Sequence, residues 1–565
     1  MKKYFSERNI IFFIFILAFC LRIIGLNWDQ DNHLHPDERF LTMLTADISL
    51  PSTINQYFDT KTSPLNPYNN PQYKFFVYGT FPVFLAKYVA VIFNGDNYNS
   101  ITIIGRILSA LLDSSIIFLL YLIFKKITEK NKLYFLPSLV YALMVLPLQL
   151  SHYYAVDTFL NFFLLLTFTL LIYKRLFYAS ISFAIALTCK ITALLFLPII
   201  LLTIIFLYYR SFSLKKILIT LLPTPLIIFL VFRIFQPYSF NGFIFPNIDF
   251  INSFKSLSQF SKPGAYYPPG VQWLNRPLPL DSFINNILWG LGLPFSFLFV
   301  FLILKSLKKV KVKFSLISII LFWICFLFFF QAFQFSHALR YFLLIYPYIA
   351  ILFSYLFYKF SISKRILYLF ILLHFLNALS FLGIYLRPHS RVQASQWIFK
   401  NIPAEQVLSS EYWDDALPLG SNSYQNISLT LFDPDTYGKW QVINSDLDKI
   451  DFLIMSSNRL WGSIPRVPSR YPSSSRFYRD LFSGKTNFSL IKKFVSYPGF
   501  NLSFMKKCIY IGPSNYPGIK NNFIDIDYDC DYPGIYFRDD TADESFTVYD
   551  HPQVIIFQKS KPYKN

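Results

Sequence analysis

The chain has 565 residues, of which 54% are hydrophobic, 20% are aromatic and only 15% are charged. Apolar runs of about twenty residues recur between residues 10 and 386, each long enough to cross about 30 Å of hydrocarbon, which excludes an ordinary soluble protein. The net charge of +20 favours membrane orientation and attraction to anionic headgroups over nucleic-acid binding, because no basic stripe lies on a soluble region.

The first apolar run begins directly after Lys2, Lys3 and Arg8, and no A-x-A cleavage site precedes the polar NWDQDNH stretch that follows it. We therefore predict a retained span and not a cleaved signal peptide. In chain order, about eleven transmembrane helices are predicted, at about 10–26, 102–124, 133–150, 158–173, 176–188, 191–209, 216–235, 283–304, 314–331, 341–358 and 366–386.

Lys and Arg are concentrated in alternate loops between these spans, in FKKITEKNK, YKR, YYRSFSLKK, KSLKKVKVK and YKFSISKR. The positive-inside rule makes these loops and the N-terminus cytoplasmic. Three large segments then lie outside, at about 27–100, about 236–282 and from about 387 onward. We therefore predict an integral plasma-membrane protein whose transmembrane domain is 1–386.

The composition changes after residue 387, where Asp, Ser, Tyr, Pro and Asn replace Phe and Leu. SRVQASQWIFKNI predicts an amphipathic helix, and DFLIMSS, FSLIKKFVSY and FTVYDHPQVIIFQK predict strands. The segment 387–565 is therefore predicted to be a soluble extracytoplasmic α/β domain. Cys508 and Cys530 either form a disulfide there or are two buried thiols.

The stretch DNHLHPDERF (residues 31–40) concentrates acidic residues at the outer end of the first span. Asp37 could act as a general base for an attacking hydroxyl, while Glu38 holds a sugar hydroxyl, a metal or Arg39. The two acids cannot share one helix face, but from a turn after Pro36 they can reach neighbouring targets. Local composition alone favours a solvated capping turn, because Pro followed by Asp or Glu is usual in a first helical turn.

Other charged residues of the membrane part are few. Asp157 follows SHYYAV and either caps the fourth span or belongs to a site. Asp113 lies mid-span about two turns past Arg106, where helix pairing is favoured over catalysis. Lys190 and Arg340 lie at outer span ends, where they can bind a lipid phosphate or snorkel to headgroups.

Three outer histidines and two residues of the second large loop are further candidates for binding roles. His35, His152 and His337 lack the spacing of a zinc site, so no metal ligands are predicted. In the second large loop, Gln272 and Trp273 are candidate sugar contacts, although an interfacial aromatic belt is favoured.

These motifs together resemble the GT-C glycosyltransferases, in particular the protein mannosyltransferase-like branch (family 39) in its bacterial form with a C-terminal extracytoplasmic domain. The resemblance covers about residues 1–386 and is carried by HPDERF, GRILSALLDSSIIFLLYLIFKK, YYAVDTFLNFFLLL, ALTCKITALLFLP and LRYFLLIYPYIAI. It implies a GT-C-like fold and inverting transfer of a hexosyl or pentosyl group from a polyprenyl-phosphate donor at the outer membrane face.

The resemblance also implies roles for individual residues. Asp37 is expected to be the catalytic base with Glu38 as its partner, and Asp157 the second-loop acid. Lys190 and Arg340 are expected to neutralise the leaving phosphate. Further candidate substrate contacts are His35, Arg106, Gln272, Trp273 and Tyr341.

The resemblance leaves the cofactor and the acceptor open. No cofactor is firmly implied, and a divalent metal is compatible with the family. Protein-modifying members often carry a β-trefoil domain in a later loop, and no loop here is long enough for one. Carbohydrate, lipid and protein acceptors therefore all remain.

Two other functional classes compete with this interpretation. A transporter or flippase of lipid-linked sugars predicts two similar halves with a site near the membrane midplane, and the halves of this sequence show no similarity. A non-catalytic envelope assembly subunit would use the outer domain as its working part. Loss of sugar transfer on changing Asp37 separates catalysis from both.

Overall fold

The computed structural model describes residues 7–128, 133–208, 222–260, 262–263, 267–307, 314–420, 423–520 and 522–560. Helices dominate the part up to residue 386, and two β-sheets follow in the remainder. The predicted fold class, a polytopic α-helical membrane protein with a C-terminal mixed α/β part, is confirmed. The predicted basic loops at 129–132, 209–221 and 308–313 lie outside the described residues.

Helices occur in all eleven predicted spans. The α-helices of the membrane part are Glu7–Ile23, Pro36–Asp47, Ile54–Phe58, Thr80–Ile92, Tyr98–Thr128, Leu136–Ala142, Val145–Leu150, Val156–Ile172, Leu176–Cys189, Leu197–Tyr208, Thr224–Phe235, Ile248–Phe260, Pro268–Val271, Leu280–Asn285, Leu293–Leu307, Leu316–Ala332, Tyr346–Lys359 and Lys364–Leu382. Three of the described helical segments, Tyr98–Thr128, Leu339–Lys359 and Lys364–Leu382, are long and apolar enough to cross a membrane, and shorter apolar helices accompany them.

Several spans are less regular than the sequence predicts. The predicted span 133–150 consists of two short helices, and part of the predicted span 216–235 lies outside the described residues. Two other spans begin with 3₁₀ turns, at Ile191–Phe196 and Leu339–Ile345. Lys190 directly precedes the first of these turns, and Arg340 lies in the second. Both cations therefore lie where a span begins at its predicted outer end.

Buried ion pairs join the helices of this part. Arg22 of the first helix donates to Asp113 at 2.7 Å, and Tyr141 donates to the same carboxylate at 2.6 Å. Asp113 therefore pairs helices as expected, but with Arg22 and not with its sequence neighbour Arg106. The apolar helix Thr80–Ile92, left within the first outer loop by the sequence analysis, packs on Tyr98–Thr128.

The C-terminal part contains two sheets and four α-helices in its described residues: Ser390–Asn401, Tyr437–Leu447, Pro472–Phe482 and Glu544–Thr547. The five-stranded sheet has the order β4-β3-β5-β11-β6, with β3 Val407–Glu411, β4 Gln425–Leu429, β5 Phe452–Met455, β6 Phe488–Phe494 and β11 Val554–Lys559. The four-stranded sheet has the order β7-β10-β8-β9, with β7 Gly499–Asn501, β8 Cys508–Ile511, β9 Ile524–Asp527 and β10 Gly534–Phe537. A two-stranded hairpin in the second outer loop pairs β1 Phe240–Asn241 with β2 Phe245–Pro246.

Most of the predicted elements of this part are confirmed. The predicted amphipathic helix and the first two strands are present, and Cys508 forms a disulfide with Cys530. The predicted strand FTVYDHPQVIIFQK is wrong in its first half, because β11 begins only at Val554. The residues before it make side-chain contacts with the membrane part, which a regular strand would not allow.

Candidate active site

The acidic stretch of the first outer loop begins the helix Pro36–Asp47. His35 is the N-cap, and its Nδ1 accepts a hydrogen bond from the Glu38 amide at 3.2 Å. Pro36 occupies the first helical position, where its missing amide hydrogen costs nothing. The acids therefore lie in a first helical turn, as the composition of this stretch favours, but Glu38 is buried and not solvated.

Asp37 and Glu38 point about 100° apart, because the helix completes a turn every 3.6 residues. Glu38 is fully buried and accepts hydrogen bonds from Arg106 at 2.9 and 2.7 Å and from the Tyr154 amide at 2.7 Å. Arg106 also binds both carboxylate oxygens of Asp29, at 3.0 and 2.9 Å. This buried network attaches the first outer loop to the second predicted span, and none of its side chains lines the cavity described below.

Asp37 points the other way and forms a salt bridge with Arg340. About a quarter of each side chain is exposed, at 26% for Asp37 and 23% for Arg340. Burial alone would raise the pKa of Asp37, but the Arg340 guanidinium outweighs it and holds this pKa well below its usual range. Asp37 is therefore ionised and neutralised by a neighbouring cation.

Arg340 also lines a cavity of about 340 Å³. Lys190 and Asp157 line it as well, and the Lys190 Nζ donates to Asp157 Oδ1 at 2.8 Å. The ring of Tyr341 lies 5.4 Å from the Lys190 Nζ and 5.5 Å from the Arg340 Cζ, within cation–π range of both. Four residues singled out from the sequence thus meet in one cavity, and Asp37 joins them through Arg340.

Asp157 and Lys190 reach this cavity from two helix ends. Asp157 lies in the first turn of the helix Val156–Ile172, whose N-cap is Ala155, so the prediction that Asp157 caps this span is wrong. Lys190 follows the last residue of the helix Leu176–Cys189. An acid near a helix N-terminus and a cation near a C-terminus both complement the helix dipoles.

Tyr78 brings the first outer loop into the cavity wall. The amide of Gly79 donates to the Cys189 carbonyl at 2.9 Å. A Cβ atom on Gly79 would lie 1.8 Å from the Thr188 carbonyl oxygen, so only glycine permits this approach. Tyr78 therefore sits beside Lys190, although nothing in the local sequence distinguished it.

The remaining cavity wall is largely apolar. Its members come from several spans and from the second outer loop and include Leu160, Leu195, Leu257, Leu327, Phe330 and Leu344. The cavity thus has a charged end and a hydrocarbon-like side. This combination suits an amphiphile with an anionic headgroup and an apolar tail.

Two tyrosines approach Asp37 and Arg340 from segments that the sequence analysis did not connect with them. The Tyr549 ring lies 4.3 Å from the ring of His35, the N-cap beside Asp37. Burial raises the pKa of Tyr267 to about 12, and the negative charge of Asp37 contributes to the rise. The second outer loop and the C-terminal part therefore both reach the site.

Tyr549 belongs to a segment, Asp543–His551, that we call the C-terminal strap. The carboxylate of Asp543 accepts a hydrogen bond from the Leu339 amide at 2.9 Å, directly before Arg340. Asp550 accepts from the hydroxyls of Tyr153 at 2.5 Å and Tyr385 at 2.7 Å. In the sequence, the YDH of this strap was interpreted as part of the predicted strand FTVYDHPQVIIFQK.

Gln272 holds this strap, whereas Trp273 packs against His337. Gln272 donates to the Glu544 carboxylate at 2.9 Å and accepts from the Glu544 amide at 2.8 Å. The Trp273 ring is 7% exposed and lies 5.6 Å from the ring of His337. Neither side chain lines the cavity, so the structure gives both a packing environment and places them apart from the other predicted site residues.

The histidines considered for zinc are separated by the fold. His152 stacks on Tyr385 at 3.9 Å, and His337 contacts Asp281 at 3.3 Å. In the described part of the chain, no three His, Cys, Asp or Glu side chains are grouped to hold a metal ion.

No protein-family model matches the chain, and no curated protein sequence matches it. Among solved structures, ArnT from Cupriavidus metallidurans bound to undecaprenyl phosphate matches 81% of this chain and 95% of its own, with 12% identity and a TM-score of 0.47. AglB from Archaeoglobus fulgidus with an inhibitory peptide and a dolichol-phosphate matches 84% of this chain and 72% of its own, with 12% identity and a TM-score of 0.48. The same oligosaccharyltransferase tethered with an NVT acceptor peptide gives 13% identity over the same shares and a TM-score of 0.49.

Both proteins are GT-C glycosyltransferases, the class that the sequence resembles. The finer assignment to the mannosyltransferase-like branch stays a prediction. At these identities and TM-scores, the similarity carries no information about the donor, the acceptor or the site residues of this chain.

Proposed function

We propose that this chain is a membrane glycosyltransferase that moves a sugar from a polyprenyl-phosphate donor to an acceptor hydroxyl at the extracytoplasmic face. The observation that carries the proposal is the cavity in which Lys190 and Arg340 meet beside an apolar wall, with Asp37 bound to Arg340. A phosphate diester needs cations, a polyprenyl tail needs apolar surface, and an attacking hydroxyl needs a base. The site offers all three within one set of contacts.

In the proposed reaction, the donor phosphate binds between Lys190 and Arg340, and the prenyl tail lies along the apolar wall. The acceptor oxygen attacks the anomeric carbon from the face opposite the phosphate, and its proton passes to Asp37. The bond between the anomeric carbon and the phosphate oxygen breaks, and polyprenyl phosphate leaves with the negative charge that both cations stabilise. A single displacement of this kind inverts the anomeric configuration.

Arg340 has two partners in this scheme. In the structure it neutralises Asp37, which makes that carboxylate a weak base. A donor phosphate that binds Arg340 withdraws part of this positive charge and adds a negative charge nearby, and both changes raise the pKa of Asp37. Donor binding therefore activates the base only when the substrate is in place.

The proposal is tested with protein purified into lipid nanodiscs and supplied with polyprenyl-phosphate mannose, glucose, galactose and arabinose. We expect one donor to release polyprenyl phosphate, with the sugar transferred to an added acceptor or to water. A flippase would instead move the lipid-linked sugar across the bilayer without releasing polyprenyl phosphate. Release from none of the four donors would contradict the proposal.

Changing Lys190 to Gln is expected to raise the donor KM about 10- to 100-fold, because a charge-assisted hydrogen bond to phosphate contributes about 1.5–3 kcal/mol. The kcat should fall less, since Arg340 still faces the leaving group. Steady-state kinetics over a range of donor concentrations measure both constants. Lys61→Gln, at an exposed position of the first outer loop, is the matched control, and an equal KM change there would remove the specific role of Lys190.

The pH dependence of transfer should differ between kcat and kcat/KM. The acid limb of kcat/KM reports the free protein, where Arg340 holds the pKa of Asp37 well below its usual range. The acid limb of kcat reports the donor complex, where the bound phosphate shares Arg340, so this limb should lie at higher pH. Acid limbs that coincide would show that the phosphate does not compete for Arg340.

A further inference from the structure

A second cavity, of about 270 Å³, lies within the C-terminal part. One wall is the edge strand β6 of the five-stranded sheet, and the other is formed by the four-stranded sheet and the loop after β9. It shares no lining residue with the cavity at Arg340. None of its residues takes part in the proposed transfer reaction.

Tyrosine rings form much of the cavity floor and side. Tyr510 and Tyr536 are 6% and 3% exposed, and Tyr532 is partly exposed at the rim. The disulfide between Cys508 and Cys530 joins the strand under the cavity to the loop that closes it. The aromatic surface is therefore held in a fixed position and combines apolar faces with hydroxyl groups.

Charged side chains of both signs line the same cavity in equal number. The cations are Arg387, Lys492 and Lys493, and the anions are Asp527, Asp529 and Asp531. The Lys492 Nζ and an Asp529 carboxylate oxygen are 4.0 Å apart, so opposite charges face each other across the cavity. The cavity thus presents hydrogen-bond donors and acceptors together, without a net charge.

This composition selects among ligand classes. An anionic ligand would meet three carboxylates, and a cationic ligand would meet three cations. An apolar ligand would remove charged groups from water without giving them partners, which is costly. A neutral ligand with many hydroxyls can donate to the carboxylates, accept from the cations and lay a C–H face on the partly exposed ring of Tyr532.

We propose that this cavity is a binding site for a neutral saccharide unit, separate from the transfer site. Its position beside the membrane part is fixed, because Gly383 after the last membrane helix packs directly on Gly499 of β7. A Cβ atom on Gly383 would lie 2.4 Å from the Gly499 carbonyl oxygen. A glycan held there therefore stays close to the membrane part.

The inference is tested by calorimetric titration of the full-length protein in nanodiscs, since many detergents carry sugar headgroups. The probes are maltose, cellobiose, lactose and mannobiose, with glucuronic acid and glucosamine as charged comparisons. We expect saturable binding of at least one neutral disaccharide and weaker binding of both charged sugars. Absence of saturable binding by every neutral probe, or preference for a charged sugar, would overturn the proposal.

Tyr532→Ala should weaken this binding at least tenfold. The backbone carbonyl of Tyr532, and not its ring, accepts a hydrogen bond from the Tyr536 hydroxyl at 2.6 Å, so removal of the ring leaves this bond in place. Tyr528→Ala is the matched control, because this nearby ring is 74% exposed and lies outside the cavity lining. Equal loss in both variants would point to general disturbance and against the site.

An Asp37→Asn variant separates this proposal from the proposed transfer function. Saccharide binding should be unchanged in it, because Asp37 is not part of the second cavity. Binding lost in Asp37→Asn and kept in Tyr532→Ala would assign the saccharide to the transfer site and refute a separate one. Binding retained in a protein that transfers no sugar from any donor would leave the saccharide site standing and the transfer proposal refuted.

Discussion

Replacement of Asp37 by Asn should lower the kcat for sugar transfer about 10²- to 10⁴-fold, the range in which a positioned general base contributes to rate. The amide keeps the size of the carboxylate but cannot take the proton of the attacking hydroxyl. Donor KM should change much less, because Lys190 and Arg340 still face the cavity. Single-turnover measurements with saturating donor isolate this step.

Two controls make the Asp37 result specific. Asp59→Asn changes an exposed acid in the same outer loop, and transfer should stay at the unsubstituted level. Unfolding temperature should be similar in both variants, which excludes a folding defect as the cause of lost activity. If the kcat of Asp37→Asn lies within a factor of about three of the unsubstituted protein, Asp37 is not the base.

Among the variants proposed for this protein, Arg106→Met should lose the most stability, with a free energy of unfolding lowered by about 3–5 kcal/mol. Arg106 is fully buried and forms ion pairs with Asp29 and Glu38, whose side chains are 1% and 0% exposed. Removing the cation leaves two buried carboxylates without a charge partner, which costs more than the pair itself contributes. Denaturation of the protein in nanodiscs, followed by tryptophan fluorescence, measures the change.

The Arg106 prediction has a matched control on the same helix. Lys125 pairs with Glu7 at 2.8 Å, but the two side chains are 49% and 46% exposed. Lys125→Met should therefore leave stability nearly unchanged, because solvent screens an exposed ion pair. Adding Asp29→Asn and Glu38→Gln to Arg106→Met should recover part of the loss, because neutral amides need no charge partner.

The Arg106 variant also distinguishes structure from substrate binding. The sequence analysis named Arg106 as a candidate substrate contact, and such a role predicts a normal unfolding temperature with a raised KM. The buried ion pairs of Arg106 instead predict a lowered unfolding temperature with an unchanged donor KM. A fully stable Arg106→Met protein with weakened donor binding would contradict the role that its contacts suggest.

Local features of the sequence were sufficient for the membrane spans and for some elements of the C-terminal part. The length of each apolar run marked the predicted spans, because a membrane of fixed thickness requires a minimum number of apolar residues. Short apolar runs bounded by polar residues marked β5 and β6, because a run of this length is typical of a buried strand. Both signals depend on residues close in sequence, so they can be recognised without knowledge of the fold.

For the candidate site, local sequence likewise indicated individual residues but not their contacts. Asp37, Asp157, Lys190 and Arg340 could be named in advance, because a charge beside a membrane span is costly and its presence needs a reason. Their convergence was expected only from sidedness and the family resemblance and not from any local pattern, since Asp37 and Arg340 are 303 positions apart in the chain. Which of two adjacent acids reaches Arg340 was also undecided, because it depends on the helix phase that the His35 cap sets.

The sequence by itself determined the membrane class, the positions of the predicted spans and a short set of candidate charges. Only the tertiary structure decided that Glu38 is buried against Arg106 while Asp37 binds Arg340. It also placed Tyr549 of the C-terminal strap against His35, the N-cap of the helix that carries both acids. Packing made these choices, because a buried carboxylate must find a cation and hydrogen-bond donors wherever the fold supplies them. The partners that satisfy this requirement lie far away in sequence, where no local pattern records them.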